Sequence, residues 1–174
     1  MSHAIPDLTT DRLLLRAWTP EEIEAMGTGE RLPQWAEDFP GEGDKARAGF
    51  FAENPAWYGE YGHRQMIERE SGQVVGAIGL FWPQTDGKVE FGYGVTPSRR
   101  RRGYASEAAR ALVTHALTAP GVHTVYAKVS LDNPASSRVL EKAGLTPWTG
   151  LELAPGLTAF RTAPGGPTPC PTAP

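Results

Sequence analysis

Residues 88–106, KVEFGYGVTPSRRRRGYAS, constrain the fold more than any other part of the chain. Val89, Phe91, Tyr93 and Val95 alternate with Glu90, Gly92 and Gly94, the period-2 pattern of a strand with one apolar face and one nearly bare face. Four arginines, Arg99–Arg102, and Gly103 follow. An amphipathic helix then opens. Its apolar set, Ala105, Ala108, Ala109, Leu112, Val113, Ala116 and Leu117, keeps helical spacing for over three turns and predicts a helix across Gly103–Thr118. A strand turning tightly into a helix leaves the helix's unbonded N–H groups and positive dipole end exposed, and an anion is stabilised there. Gly103 lets an anion approach the backbone closely, and Ala105 keeps the first turn small. First turns favour acidic residues, so arginines at this point call for a negative partner, which a phosphate-bearing ligand supplies. A solvated basic turn or a nucleic-acid patch is the alternative. The spacing is neither GxxxxGK[ST] nor GxGxxG, which excludes the nucleotide loops those signatures mark.

The surrounding pattern alternates strands with helices. Arg12–Ala17 reads as a first strand, and Thr19-Pro20-Glu21-Glu22 as a capped helix start. Residues 30–61 hold aromatics, acids and glycines without a clear period; one helix is expected around Lys45–Asn54. Their acids and aromatics could also form a lid for a cationic amine. Gln65–Glu70 and Gln73–Trp82 read as strands, and Asp86-Gly87 as a hairpin turn before the segment already described. Val122–Leu131 is a further alternating strand. Asp132-Asn133-Pro134 caps a short helix that stops at Gly144, and Leu145–Trp148 and Leu157–Arg161 are the last strands.

Two further features carry chemistry. Gly92 and Gly94 leave a groove on one strand face with room for a thin, extended ligand, and Glu90 stands at its end as a candidate general base or as a surface carboxylate. Asn133 is either a helix cap or a ligand contact. Ser136 shares a helix face with Val139, Leu140 and Ala143, so its hydroxyl turns inward, where a bound thiol or carbonyl would partner it.

Composition narrows the class. The chain has 174 residues with 40% hydrophobic and 21% charged, enough to build one core. A single domain is expected over residues 1–162, followed by a flexible Pro/Gly-rich tail at 163–174. The one cysteine, Cys170, lies in that tail, so neither a disulfide within the chain nor a cysteine-built zinc site is expected. His63, His115 and His123 lack ligand spacing, and no metal is proposed. The N-terminus has no secretory pattern and no apolar run is long enough to span a membrane, which points to a cytoplasmic protein. A net charge of −3 argues against a chain built to coat nucleic acid.

Val95-Thr96-Pro97, with Arg100-x-x-Gly103-x-Ala105, resembles the (Q/R)-x-x-G-x-(G/A) acyl-coenzyme A motif of the GNAT superfamily of N-acetyltransferases. TDRLLLR at Thr10–Arg16, GYASEAAR at Gly103–Arg110 and NPASSRVLEKAGL at Asn133–Leu145 resemble the branch that includes ribosomal-protein N-terminal acetyltransferases. The likeness spans roughly Leu8–Arg161. It implies an α/β fold of the α+β mixed-sheet kind: a splayed, mostly antiparallel central sheet with helices on both faces, open between Val89–Val95 and Val122–Leu131.

The resemblance also implies acetyl-CoA as cosubstrate and a primary amine, on a small molecule or a peptide N-terminus, as acceptor. Homodimerisation stays open. Arg100, Arg101, Arg102, Gly103, Tyr104, Ala105 and Ser106 would hold the pyrophosphate, chiefly through main-chain N–H groups. Main chain at Tyr93, Gly94 and Val95 would bond the pantetheine arm, which Asn133 would also touch. Glu90 matches the family's base position, and Ser136 would lie near the thioester sulfur. Many relatives carry a tyrosine acid in the last helix, where this chain has Leu140, so Ser136 or water would take that part. Direct transfer is the leading reading; a non-catalytic acyl-CoA sensor on the same fold is the runner-up, and a nucleic-acid binder using Arg99–Arg102 a more distant one.

Overall fold

The computed structural model describes residues 4–163, so nearly all of the expected tail, Cys170 included, lies outside the described residues. Eight strands form one sheet in the order β1-β2-β3-β4-β5-β6-β8-β7. β1 is Leu8–Thr9, β2 Leu13–Ala17, β3 His63–Glu68 and β4 Val74–Leu80. β5 is Lys88–Val95, β6 Thr124–Ser130, β7 Thr146–Pro147 and β8 Leu157–Arg161. Every neighbouring pair runs antiparallel except β5 and β6, which are parallel.

Four α-helices lie among the described residues: α1 (Pro20–Thr28), α2 (Glu42–Ala48), α3 (Tyr104–Ala116) and α4 (Pro134–Lys142). α1 starts where its cap predicts. The Thr19 hydroxyl accepts from the Glu22 N–H at 3.2 Å and donates to the Glu22 carboxylate at 2.9 Å, and Gly29 ends the helix at φ 83°. α3 buries Ala108, Ala109, Leu112, Val113 and Ala116 against the sheet. Leu112 is fully enclosed, and truncating it to alanine would cost about 2–5 kcal/mol.

Helices lie on both faces. Tyr93 reaches α4, whereas its strand neighbour Gly92 faces α2, and successive strand residues point to opposite sides. Among the described residues no helix is long and apolar enough to cross a membrane.

Strand and helix ends shift by a residue or two in several places, and three differences from the sequence reading bear on the fold. The helix expected at Lys45–Asn54 lies earlier, over Glu42–Ala48, and two 3₁₀ turns at Phe51–Glu53 and Pro55–Tyr58 take its place. Asp44 explains the start, since its carboxylate accepts the Gly41 N–H at 2.9 Å. β3 begins at His63, not Gln65, because its polar residues are buried along with its apolar ones and the alternation disappears. Leu8–Thr9 adds a short edge strand that the sequence pattern did not mark.

Candidate active site

β5 and β6 pair only at Lys88↔Thr124, Val89↔Val125 and Glu90↔Tyr126. Beyond Glu90, β5 stays with β4 and β6 stays with β8, so the two half-sheets part. The gap opens a cleft of about 340 Å³ whose walls include Glu90, Gly92, Tyr93, Lys128 and Ser136.

Strand parity decides which main-chain groups face the gap. The Glu90 carbonyl accepts from Phe81 N–H and the Thr96 N–H bonds Val75, both on the β4 side, whereas the Gly87 carbonyl accepts from Thr124 N–H on the β6 side. Odd-numbered residues of β5 therefore turn their N–H and C=O groups toward β6, and past Glu90 no strand meets them. Tyr93 and Val95 present main chain to the splay. Gly94 bonds toward β4, and what it offers the splay is space, since nothing lies within 4 Å of where a Cβ would stand. The Val95 carbonyl is already occupied, accepting from Arg100 Nε at 2.9 Å.

The loop after β5 ends at the N-terminus of α3. Arg101 (φ 64°) and Gly103 (φ 81°) are both left-handed, a turn geometry that gathers successive N–H groups into an anion-binding concavity. None of the N–H groups of Arg101, Arg102, Gly103, Tyr104, Ala105 and Ser106 has an acceptor among the described residues; the helical ladder begins with Glu107 N–H to the Gly103 carbonyl at 3.1 Å.

The arginine side chains are less free than the sequence suggested. Arg99 Nε donates to Glu68 at 3.1 Å, Arg100 holds the Val95 carbonyl, and Arg102 lies 3.8 Å from Glu68. Part of the negative partner those arginines required is thus internal. Glu68, on β3 and buried, also accepts from the Tyr104 hydroxyl and the Ser71 hydroxyl, each at 2.7 Å. Burial pushes its carboxyl up, but Ser71, Tyr104 and Arg99 together outweigh burial and hold it below the usual carboxylate range. A second tie binds the helix start to the N-terminal strands: Glu107 accepts from the Thr10 hydroxyl at 2.6 Å and from Arg12 Nε at 2.9 Å.

At the base of the splay Glu90 is partly exposed and lies 3.5 Å from Lys128 of β6. On the α4 side Asn133 serves as the helix cap, accepting the Ser136 N–H at 3.2 Å. Ser136 lines the cleft, and its carbonyl accepts from the Tyr93 hydroxyl at 3.3 Å, a contact that spans the gap. Burial, only partly offset by Ser136, raises the Tyr93 phenol and keeps it protonated. Leu140 is wholly enclosed in the core. The structure thus brings Glu90, Tyr93 and Ser136 to one cleft, and the 101–106 loop follows the open end of β5.

The groove above Gly92 is not bare. Phe81 Cζ lies 3.1 Å and Arg47 Nη2 3.7 Å from where its Cβ would be. Arg47, Phe81, Lys128 and Glu68 were not singled out by sequence reasoning. Only Lys128 had a local signal, two residues past the last β5–β6 pair on the strand facing Glu90.

A protein-family model described as an acetyltransferase (GNAT) domain matches residues 12–146, and the chain belongs to the GNAT acetyltransferase family. It is 32% identical over 145 residues to the uncharacterized N-acetyltransferase YoaA of Bacillus subtilis, an alignment covering 80% of this chain and 82% of that one. Other curated N-acetyltransferases match over about half their length. The fold superposes on an acetyltransferase from Agrobacterium tumefaciens with a TM-score of 0.67 at 24% identity, covering 94% of this chain and 97% of the other. It also superposes on RimL, a ribosomal-protein alpha-N-acetyltransferase solved with coenzyme A, with a TM-score of 0.62 at 16% identity, covering 90% and 97%.

Proposed function

We propose that this chain transfers an acetyl group from acetyl-CoA directly to a primary amine. The observation that carries the reading is the run of unbonded N–H groups from Arg101 to Ser106 at the mouth of a splayed sheet. A pyrophosphate satisfies those donors together and meets the positive end of α3. The pantetheine arm, an extended chain with two amides, adds to β5 as a strand would, against Tyr93 and the Val95 N–H. Such seating would carry its thioester toward Glu90 and Ser136. The fit is one of chemistry: acceptor-rich phosphates for orphaned donors, amides for a strand edge.

The chain's residues then divide the proton work. An acceptor amine is an ammonium near neutral pH, so it must lose a proton before its nitrogen attacks. Glu90 takes that proton, directly or through one water. The nitrogen bonds the acetyl carbon, the carbon–sulfur bond breaks, and the nitrogen's second proton passes through Ser136 or a water held beside it to the departing thiolate. Tyr93 positions Ser136 by holding its carbonyl. No covalent acyl-enzyme is invoked, and attack takes place with both substrates bound.

The acceptor class includes small amines and peptide N-termini. The resemblance to ribosomal-protein acetyltransferases favours including N-terminal peptides in any screen. The test is thiol release from acetyl-CoA across peptides, polyamines, aminoglycosides and amino acids, with mass spectrometry of the product. One acetylated amine per thiol supports transfer. Tight acetyl-CoA binding with no acetylated product from any amine class would favour a sensor instead.

A further inference from the structure

Arg47 is a half-buried charge that makes no hydrogen bond or ion pair among the described residues. α2 lays its guanidinium across Gly92 of β5, with Nη2 3.7 Å from where a Cβ would stand, and the side chain forms part of the cleft wall beside Glu90 and Tyr93. Its Nη1 is shielded from solvent and donates to nothing. An arginine stays protonated, and a buried N–H without an acceptor is costly, so native proteins leave few of them.

The neighbouring groups answer it only in part, and none bonds it directly. Asp44, one turn earlier on α2, accepts the Gly41 N–H at 2.9 Å and attracts Arg47 without a direct ion pair. Glu90 pairs with Lys128 at 3.5 Å. His63 is held at about 3 by burial and by Arg47 itself, so its ring is uncharged, with Nε2 also unpartnered. Phe81 offers only a ring.

The phosphates of the cosubstrate are a poor source of the missing anion. Gly92 lies about 10 Å along β5 from Val95, where the phosphate loop begins, and it faces α2, whereas α4 covers the other side. Glu90 stands two residues away on the same strand face as Gly92, about 6.6 Å along the strand. A molecule seated between them has its amine at Glu90 and an anionic group at Arg47.

We infer that the acceptor is an amine carrying a carboxylate within a few bonds of its nitrogen, with Arg47 as the carboxylate's partner. Both a free amino acid and a peptide N-terminus with an acidic first or second residue present that chemistry. The inference rests on the transferase reading above and narrows its acceptor. It also revises the picture of an acidic lid: the charge from residues 30–61 that enters the cleft is positive.

The test compares matched acceptors by thiol release and product mass: glycine with glycinamide, β-alanine with its amide, aspartate with asparagine, and Ser-Asp with Ser-Asn tetrapeptides. A charge-assisted bond to a half-buried guanidinium predicts about a 10- to 100-fold preference in kcat/KM for the acid of a pair. The amino-acid and peptide arms separate the two sources. Arg47→Gln should collapse the preference through a raised KM for the acid, with acetyl-CoA affinity by calorimetry kept, and Arg47→Lys should restore part of it. Should no pair be turned over, melting in the presence of coenzyme A reads the site. Stabilisation by the acids but not the amides, lost in Arg47→Gln, supports the inference, and no stabilisation by any acid overturns it. Amides used as well as acids, or a preference that survives Arg47→Gln, would also overturn it while leaving acetyl transfer standing. Failure of the wild type to bind acetyl-CoA would bring down the underlying reading instead.

Discussion

Replacing Glu68 with alanine probes how the fold holds its cofactor loop. Glu68 is 4% exposed. It accepts from Tyr104 and Ser71 at 2.7 Å each and from Arg99 at 3.1 Å, with Arg102 at 3.8 Å. Tyr104 opens α3, so one carboxylate on β3 fixes both the arginine loop and the first helical residue. Its removal leaves the buried Tyr104 hydroxyl without an acceptor and brings Arg99 and Arg102 together with no counter-charge. Removing one partner of a buried charged network costs about 3–5 kcal/mol. For a domain of this size, at about 2–4 °C per kcal/mol, Tm should fall by roughly 6–20 °C. Loosening the loop should also weaken acetyl-CoA binding by at least about tenfold, or about 1.4 kcal/mol.

Glu68→Gln keeps the shape and an acceptor for Tyr104 but loses the charge, and should fall between wild type and alanine. The pH dependence has a definite sign. A carboxyl held below its unfolded value stabilises the protein fully above the ordinary glutamate pKa, about 4.3, and loses that stabilisation as pH falls through its lower native value. Wild-type Tm should therefore drop more steeply below about pH 4.3 than that of Glu68→Gln. Glu107, lowered against its own burial by Thr10 and Arg12, keeps some slope in both. Calorimetric melting across pH and acetyl-CoA titration check these outcomes. An alanine variant with unchanged Tm and unchanged affinity would refute the account of the loop.

The remaining predictions concern the cleft. Gly103→Asp should abolish coenzyme A binding, whereas Gly103→Asn, matched in shape and in tolerance of φ 81°, should keep much of it; titration calorimetry on the pair separates charge from backbone strain. Glu90→Gln should lower kcat about a hundredfold, with partial recovery at higher pH where the amine deprotonates itself. A full wild-type pH–rate profile in that variant would remove Glu90 from the mechanism. Ser136→Ala should cost less than Glu90→Gln because water can replace a hydroxyl, and Tyr93→Phe should lower kcat while sparing acetyl-CoA affinity. Steady-state kinetics beside calorimetry reads both.

Much of the cofactor side was legible because it is local. The alternation of β5, the glycine at the helix start and the apolar stripe of α3 lie within about thirty residues of chain, and each has its own period. The acceptor side was not legible, for a physical reason. Residues 30–61 contribute Trp35, Phe39, Phe51 and Trp57 to the core through short turns, where burial follows tertiary contact and not spacing. Phe39 lies between Trp18 and Trp35, and Phe51 meets Trp57 and His63 edge-on. Arg47 gives no sequence signal, because Gly92, against which it lies, belongs to a distant strand. Glu68 gave no signal because its partners Arg99 and Tyr104 lie 31 and 36 residues further along. The arginine run called for an anionic ligand in the sequence, although Arg99 and Arg102 face Glu68 and Arg100 holds the Val95 carbonyl.

A crystal structure with coenzyme A tests the central claim most directly. The account predicts pyrophosphate oxygens about 2.7–3.2 Å from main-chain N–H groups between Arg101 and Ser106, with the pantetheine amides paired to Tyr93 and the Val95 N–H inside the splay. The sulfur should point toward Ser136 and the Glu90 end of the cleft. Coenzyme A bound outside the splay, or phosphates held by arginine side chains with those amides left unbonded, would contradict it.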